Sequence, residues 1–310
     1  SSAPLKLHTH YVNTHAYFEK ITQVAESASS GCSNAVHQTL LDISGALRVN
    51  DDQEPNYVDL SSRLGICADT MPSHIQSSVV FQQELVMNIA NRFAKCNMEY
   101  YPPGPETSLV AACNIFQDST MSAEGKIASY LMAPNGDESQ CFDLSSFVRS
   151  RPHSTLSADN HEEIGRGLSQ DIWDLQICDL LTNPATVTDA SMFPVQEYSD
   201  EWLDQHCHSR SDSASHIQDL MHDIGVDDLA QLSTTRMLVV NGMNDGWSMA
   251  SQLETQVDLR VVNIPSGAHH SELSQTGPFE NDTLDMQGAY TQIARHLLDL
   301  VRVAMAERSV

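Results

Sequence analysis

Met237-Leu238-Val239-Val240-Asn241-Gly242-Met243-Asn244-Asp245-Gly246-Trp247, followed by Leu259-Arg260-Val261-Val262-Asn263-Ile264-Pro265-Ser266-Gly267-Ala268-His269-His270, is the stretch that decides the fold. Met237 to Val240 is a short apolar run bounded by Asn241-Gly242, the pattern of a strand buried on both faces. Leu259 to Ile264 reads as a second strand, stopped by Pro265-Ser266-Gly267. Between them, Ser248 to Gln256 has the spacing of a helix. The chain then ends in an amphipathic helix with Met286, Tyr290, Ile293, Leu297, Val301 and Ala304 on one face. Strand, helix, strand, helix is the tail of an α/β sheet. Two strands do not make a stable parallel sheet alone, so further strands are expected from elsewhere.

Upstream the character changes. Residues 6 to about 230 read as mostly helical: Tyr17, Ile21, Val24 and Ala25 recur at helical spacing, as do Val36, Leu40 and Leu47. Phe81, Leu85, Ile89 and Phe93 repeat every fourth residue in a helix expected to start after Pro72. Ala123 to Leu131 and Asp171 to Leu181 are shorter helical candidates. Polar loops such as Tyr101-Pro102-Pro103-Gly104-Pro105 and Pro134-Asn135-Gly136-Asp137 separate them. No strong strand and no internal repeat stands out in this region.

The chain has 310 residues with 41 acidic and 16 basic side chains, a formal charge of −25. Such an acid excess argues against nucleic acid and anionic membranes as partners, because phosphates attract Lys and Arg. No run of about 20 apolar residues exists, so no membrane-spanning helix is expected. The seven cysteines, Cys32, Cys67, Cys96, Cys113, Cys141, Cys178 and Cys207, form no C-x-x-C pair. That spacing is a poor zinc pattern and a fair disulfide pattern, which favours a compartment outside the cytosol. The sequon Asn281-Asp282-Thr283 makes Asn281 a candidate glycosylation site. The N-terminus, Ser-Ser-Ala-Pro-Leu, has neither initiator Met nor signal peptide, which points to processing or to a fragment.

Ligands and catalytic groups of parallel sheets gather beyond the carboxyl ends of the strands. Asp245 follows the first strand and His269 the second, roughly 25 residues later, the acid-then-base order of α/β-hydrolases. A carboxylate there would accept the imidazole N–H, fix its tautomer and stabilise the imidazolium formed when the ring takes a serine proton. The same residues also read as an ordinary Asn-Asp-Gly turn and a solvated loop histidine. His8-Thr9-His10 and His206-Cys207-His208 have a spacing that could hold metal on a strand, but no matching Cys or carboxylate set accompanies them, so neither a metal nor a cofactor is expected. The 14 histidines would suit an acidic compartment, where their charge offsets carboxylates.

Asn-Gly-x-x-Asp-x-Trp at 241–247 followed by Gly-Ala-His-His-x-Glu-Leu at 267–273 resembles the C-terminal signature of the lysosomal Pro-Xaa carboxypeptidase and dipeptidyl peptidase II family of serine peptidases. That family carries Asn-Gly-x-x-Asp-Pro-Trp and Gly-Ala-His-His-x-Asp-Leu. Trp173-Asp174-Leu175-Gln176-Ile177-Cys178 is similar to a Trp-x-x-Gln-x-Cys segment of the family's helical cap, and Ser1-Ser2-Ala3-Pro4 resembles the end of the strand after its nucleophile elbow. The resemblance implies the C-terminal part of an α/β-hydrolase sheet with a large helical cap. It divides the chain into a strand end and linker at 1–15, the cap at 16–232 and an α/β segment at 233–310. It makes Asp245 and His269, rather than His270, the triad acid and base. It sets Trp247 in the pocket for the residue before the cut, usually proline. It pairs Cys32 with Cys113, Cys67 with Cys141 and Cys178 with Cys207, leaving Cys96 as the free thiol.

This chain departs from the family at several places. Gly246 replaces the usual proline and Glu272 the usual aspartate, and Asn183 stands near where relatives place an apolar pocket residue. No Gly-x-Ser-x-Gly elbow occurs anywhere in the chain. The expected function is therefore serine exopeptidase action on peptides with proline beside the scissile bond. This chain would supply Asp245 and His269, and a missing N-terminal segment or a partner chain would supply the serine, so the chain alone is expected to be inactive. A lysosomal, vacuolar or secreted location follows from the resemblance, and a homodimer is compatible with it. The alternative is a non-catalytic relative that serves as a structural or binding subunit.

Overall fold

A computed structural model describes residues 16–47, 57–67, 78–132, 141–142, 187–195, 237–255, 259–273 and 277–307. Among the described residues six helices precede the strands: α1 (Ala16–Ala28), α2 (Cys32–Leu47), α3 (Tyr57–Arg63), α4 (Ser78–Met98), α5 (Ser108–Gln117) and α6 (Ala123–Met132). The apolar periodicity places them. Tyr17, Phe18, Ile21, Val24 and Ala25 line the buried stripe of α1. Phe81, Leu85, Ile89 and Phe93 form one buried row of α4, and the residues between Pro72 and Ser78 lie outside the described ones. The core closes on aromatic rings: Phe93 lies 5.0 Å from Tyr130 and 5.6 Å from Phe116 between centroids, and Phe18 lies 5.5 Å from Phe193. Each fully buried Phe contributes about 1.5–3 kcal/mol.

Disulfides and caps hold the helical body where its loops turn. Cys32 bonds Cys113, tying the start of α2 to α5, and Cys67 bonds Cys141 beside a parallel bridge between Ile66 and Phe142. Among the described residues Cys96 is the cysteine outside a disulfide. Gly31 takes a left-handed φ of 84° between α1 and α2, where a side chain would be strained. Glu26 accepts the N–H groups of Gly31 and Ser33 and the Ser33 hydroxyl, and these bonds hold its carboxyl below the usual range. Residues 1–15, the Asp171 to Leu181 helix, Asn183, the Trp173 segment and the Cys178–Cys207 pair lie outside the described residues, as do both His-x-His sites.

Beyond the helices, β1 (Met237–Gly242) and β2 (Leu259–Ile264) pair in parallel, with Met237 opposite Leu259 and Gly242 opposite Ile264. Two corrections apply to the sequence reading. First, β1 runs two residues past Val240 to Gly242, and Met237 and Leu238 are only half buried, so it is not covered on both faces along its length. Second, the 248–256 helix is instead a short 3-10 helix, Gly246–Ala250. Asn241 donates to the Gln252 carbonyl and Asn263 to the Leu253 carbonyl, both at 2.9 Å, which takes the acceptors a longer helix would need. The last helix, α7 (Leu284–Glu307), forms where the apolar stripe places it and buries only its first turns. Met286 and Ala289 pack on Val240, Val262 and Ile264, while Leu297 and Val301 are 49% and 54% exposed. Among the described residues no helix is long and apolar enough to cross a membrane.

Asp285 fastens α7 to the loop after β2. Its carboxylate accepts the Ser266 N–H at 2.7 Å and the Ser266 hydroxyl at 2.9 Å. Burial works to raise its pKa, and the hydrogen bonds from Ser266 and Thr283 outweigh burial and lower it below the ordinary 3.8. A depressed carboxyl adds stability above its unfolded value and loses it as pH falls through the folded one. Asp285→Ala is therefore expected to lose about 1–2 kcal/mol near neutral pH. The gap from the natural protein should narrow as pH falls below the ordinary 3.8 in urea unfolding, and a gap that stays constant with pH would contradict this.

Candidate active site

Past the strand ends, the two loops continue to bond to each other. The Met243 N–H donates to the Ile264 carbonyl at 2.9 Å, the Asn244 N–H to the Gly267 carbonyl at 2.8 Å, and the Asn244 side chain to the Ser266 carbonyl at 3.1 Å. Glycine makes this approach feasible: a Cβ on Gly242 would fall on the Ala268 carbonyl oxygen, and one on Gly267 would lie 3.1 Å from the Gly242 Cα. Asp245 and His269 are thereby delivered to the same place by two separate strands.

Asp245 is 1% exposed and uses both carboxylate oxygens. Oδ1 accepts the Trp247 N–H at 3.0 Å, capping the 3-10 helix, and Oδ2 lies 2.8 Å from His269 Nδ1. An ionised carboxylate only accepts, so this contact assigns the ring proton to Nδ1 and leaves the lone pair on Nε2. His269 keeps 27% of its side chain exposed, and its main-chain N–H donates to the Met98 carbonyl at 3.2 Å. Such a ring can take a proton from a hydroxyl and return it to a leaving amine. Among the described residues no hydroxyl is hydrogen-bonded to it.

The neighbouring histidine is built differently. His270 has φ of 53°, the left-handed region that a non-glycine residue rarely adopts, and this bend turns the chain sharply after His269. Its ring lies 3.8 Å from that of His269. Burial, then the adjacent His269, lowers the His270 pKa, so His270 sheds its charge more readily than an ordinary histidine. Glu272, two residues on, is 5% exposed, and its carboxylate oxygens find no hydrogen-bond partner among the described residues.

The helical body reaches the site through α1 and α4. Tyr17 lies 4.6 Å from Trp247 between ring centroids, and a Cβ on Gly246 would meet its ring at 2.8 Å. Burial first, and the Asp245 charge second, push the Tyr17 pKa far up, so its phenol stays protonated. Asn97 of α4 is fully buried; its Nδ2 donates to the Asn244 carbonyl at 2.7 Å and its Oδ1 accepts the Gly246 N–H at 3.1 Å. Neither Tyr17 nor Asn97 is among the site residues read from the sequence. Asn97 occupies the next place in the Phe81-Leu85-Ile89-Phe93 row, and an amide where that row calls for an apolar residue is the signal that could have found it.

The structure thus brings Asp245, His269 and Trp247 together, while Asn281 is exposed at a turn, beside Asp282, which accepts the Phe279 N–H and the Tyr101 hydroxyl. Among the described residues no cluster of three or more His, Cys, Asp or Glu could hold a metal ion. A family model described as Serine carboxypeptidase S28 matches residues 1–290. No curated protein matches the chain.

Proposed function

Because the chain belongs to the serine carboxypeptidase S28 family, we propose that it works in serine-type peptide hydrolysis, with His269 as general base and Asp245 as the acid that orients it. The observation that carries this reading is the 2.8 Å contact between His269 Nδ1 and a fully buried Asp245 at the ends of adjacent parallel strands. The serine hydroxyl comes from a segment or partner chain beyond the described residues. His269 Nε2 takes its proton as the oxygen attacks the peptide carbonyl, and the carbonyl π pair moves onto oxygen. The imidazolium, stabilised by Asp245, then protonates the leaving nitrogen as the C–N bond breaks, and water reverses the sequence on the acyl-enzyme.

Specificity follows from what surrounds the pair. Trp247, two residues from Asp245 and backed by the buried Tyr17 ring, gives an apolar face suited to a proline ring beside the scissile bond. The helical body, fastened to the site through α1 and α4, acts as the cap that restricts cleavage to a peptide end. The disulfides fit an oxidising compartment outside the cytosol.

The test is fluorophosphonate labelling of the natively purified protein, resolved on a denaturing, reducing gel. Label that proline-containing peptides compete away, and that His269→Ala removes, is the expected result. Its position on the gel tells whether the serine is on this polypeptide or on a partner. A folded sample that takes no label while a related active peptidase does would overturn the reading and leave a binding subunit.

A further inference from the structure

We propose that Asn97 is a positioning residue of the hydrolytic site: one amide in the last turn of α4 sets the backbone on both sides of Asp245 and so fixes the acid against His269. The inference rests on the reading of Asp245 and His269 as acid and base. Asn97 donates to the carbonyl of Asn244 at 2.7 Å and accepts from the N–H of Gly246 at 3.1 Å, the residues immediately before and after Asp245. The next residue of the same helix, Met98, accepts the His269 N–H at 3.2 Å. A single helical turn therefore holds the main chain of both members of the pair, and it lies 147 residues away from Asn244 in sequence.

The chemistry demands an amide. The site presents one acceptor and one donor, and a neutral side chain that offers one of each at this length is asparagine. Aspartate would lose the donation to Asn244, and leucine would leave both buried backbone groups unpaired. Gly246 belongs to the same arrangement. The proline usual at this place in the family has no N–H to give, so the second arm of the clamp exists because glycine stands here. The volume that a side chain at 246 would need is filled by the Tyr17 ring.

A residue that merely joins the helical body to the strands would lower stability when removed. A positioning residue must also change the Asp245–His269 contact and the chemical step. Asn97→Ala, Asn97→Asp and a control in the remote core of α2, Leu40→Ala, are compared in the native protein. The readouts are thermal unfolding, kcat and KM on a proline-containing peptide, and the low-field proton resonance of His269 Nδ1–H. Asn97→Ala is expected to lower kcat about 10- to 100-fold with KM within about twofold, and to shift or broaden the His269 resonance. Asn97→Asp, which keeps the bond to Gly246, is expected to fall between it and the natural protein. Leu40→Ala is expected to lose stability with kcat and the resonance unchanged.

An unshifted resonance and a kcat no lower than the control's, both in Asn97→Ala, would overturn the proposal. If Asn97→Ala does not fold, Asn97→Asp decides, and a natural kcat and resonance in that variant would overturn it. A natural protein that hydrolyses no peptide, but whose His269 resonance moves in the Asn97 variants, would sink the hydrolytic reading and leave the positioning role standing.

Discussion

Asp245→Asn is expected to lower kcat for peptide hydrolysis about 10⁴-fold while leaving KM within a few fold. The size of the effect follows from how the carboxylate is held. Oδ1 receives the Trp247 N–H and Oδ2 faces His269 Nδ1. An asparagine has a single oxygen, and the Trp247 N–H draws it to the Oδ1 side. The amide NH2 then faces His269 and can only donate, so Nδ1 must present its lone pair and the ring proton moves to Nε2. A ring protonated at Nε2 cannot take a proton from a serine. The fold should tolerate the change, since the cap on the 3-10 helix is kept and no volume is lost. Steady-state kinetics and circular dichroism on the same preparation check both halves. A variant within tenfold of the natural kcat would remove Asp245 from the mechanism.

How much of this was readable in advance depends on whether the determining contact is local. The Phe81-Leu85-Ile89-Phe93 row and the two apolar strand runs dictate their own elements, because helical and extended spacing follow from burying one face. The Asp245 and His269 loops were legible because parallel strands deliver their C-terminal loops to one edge. The 248–256 segment failed for the opposite reason: its pattern is helical, but the side chains of Asn241 and Asn263 claim its carbonyls from outside. The outer half of α7 shows the same limit. Its apolar stripe specifies a helix and says nothing of what lies against Leu297 and Val301. Asn97 was visible only as an exception to a row, and its meaning lies in bonds to residues far along the chain.

Gly242→Ala should produce the largest loss of stability of any single methyl added at the site, about 3 kcal/mol or more, and should disable catalysis with it. The cause is contact rather than conformation, because the left-handed glycines of the described residues are Gly31 and Gly65 and not Gly242. The new Cβ would fall on the carbonyl oxygen of Ala268, with the Gly267 and Ala268 carbonyl carbons next to it. These are main-chain atoms pinned by their neighbours: the Gly267 carbonyl accepts the Asn244 N–H, and the Gly242 carbonyl accepts the Asp245 N–H. Relief requires the 267–269 loop to move off the end of β1, which breaks the bonds joining the two loops and draws His269 from Asp245. A displacement of about 1 Å at that pair is enough to cost about 100-fold in rate. Gly288 in α7 supplies the comparison, since a Cβ there meets nothing within 4 Å. Gly288→Ala should be neutral or stabilise by up to about 1 kcal/mol. Denaturant unfolding of the two variants beside the natural protein is the measurement. Equal midpoints for Gly242→Ala and the natural protein would mean that the loops can separate freely, and the close approach of the two strand ends would then not be what holds Asp245 against His269.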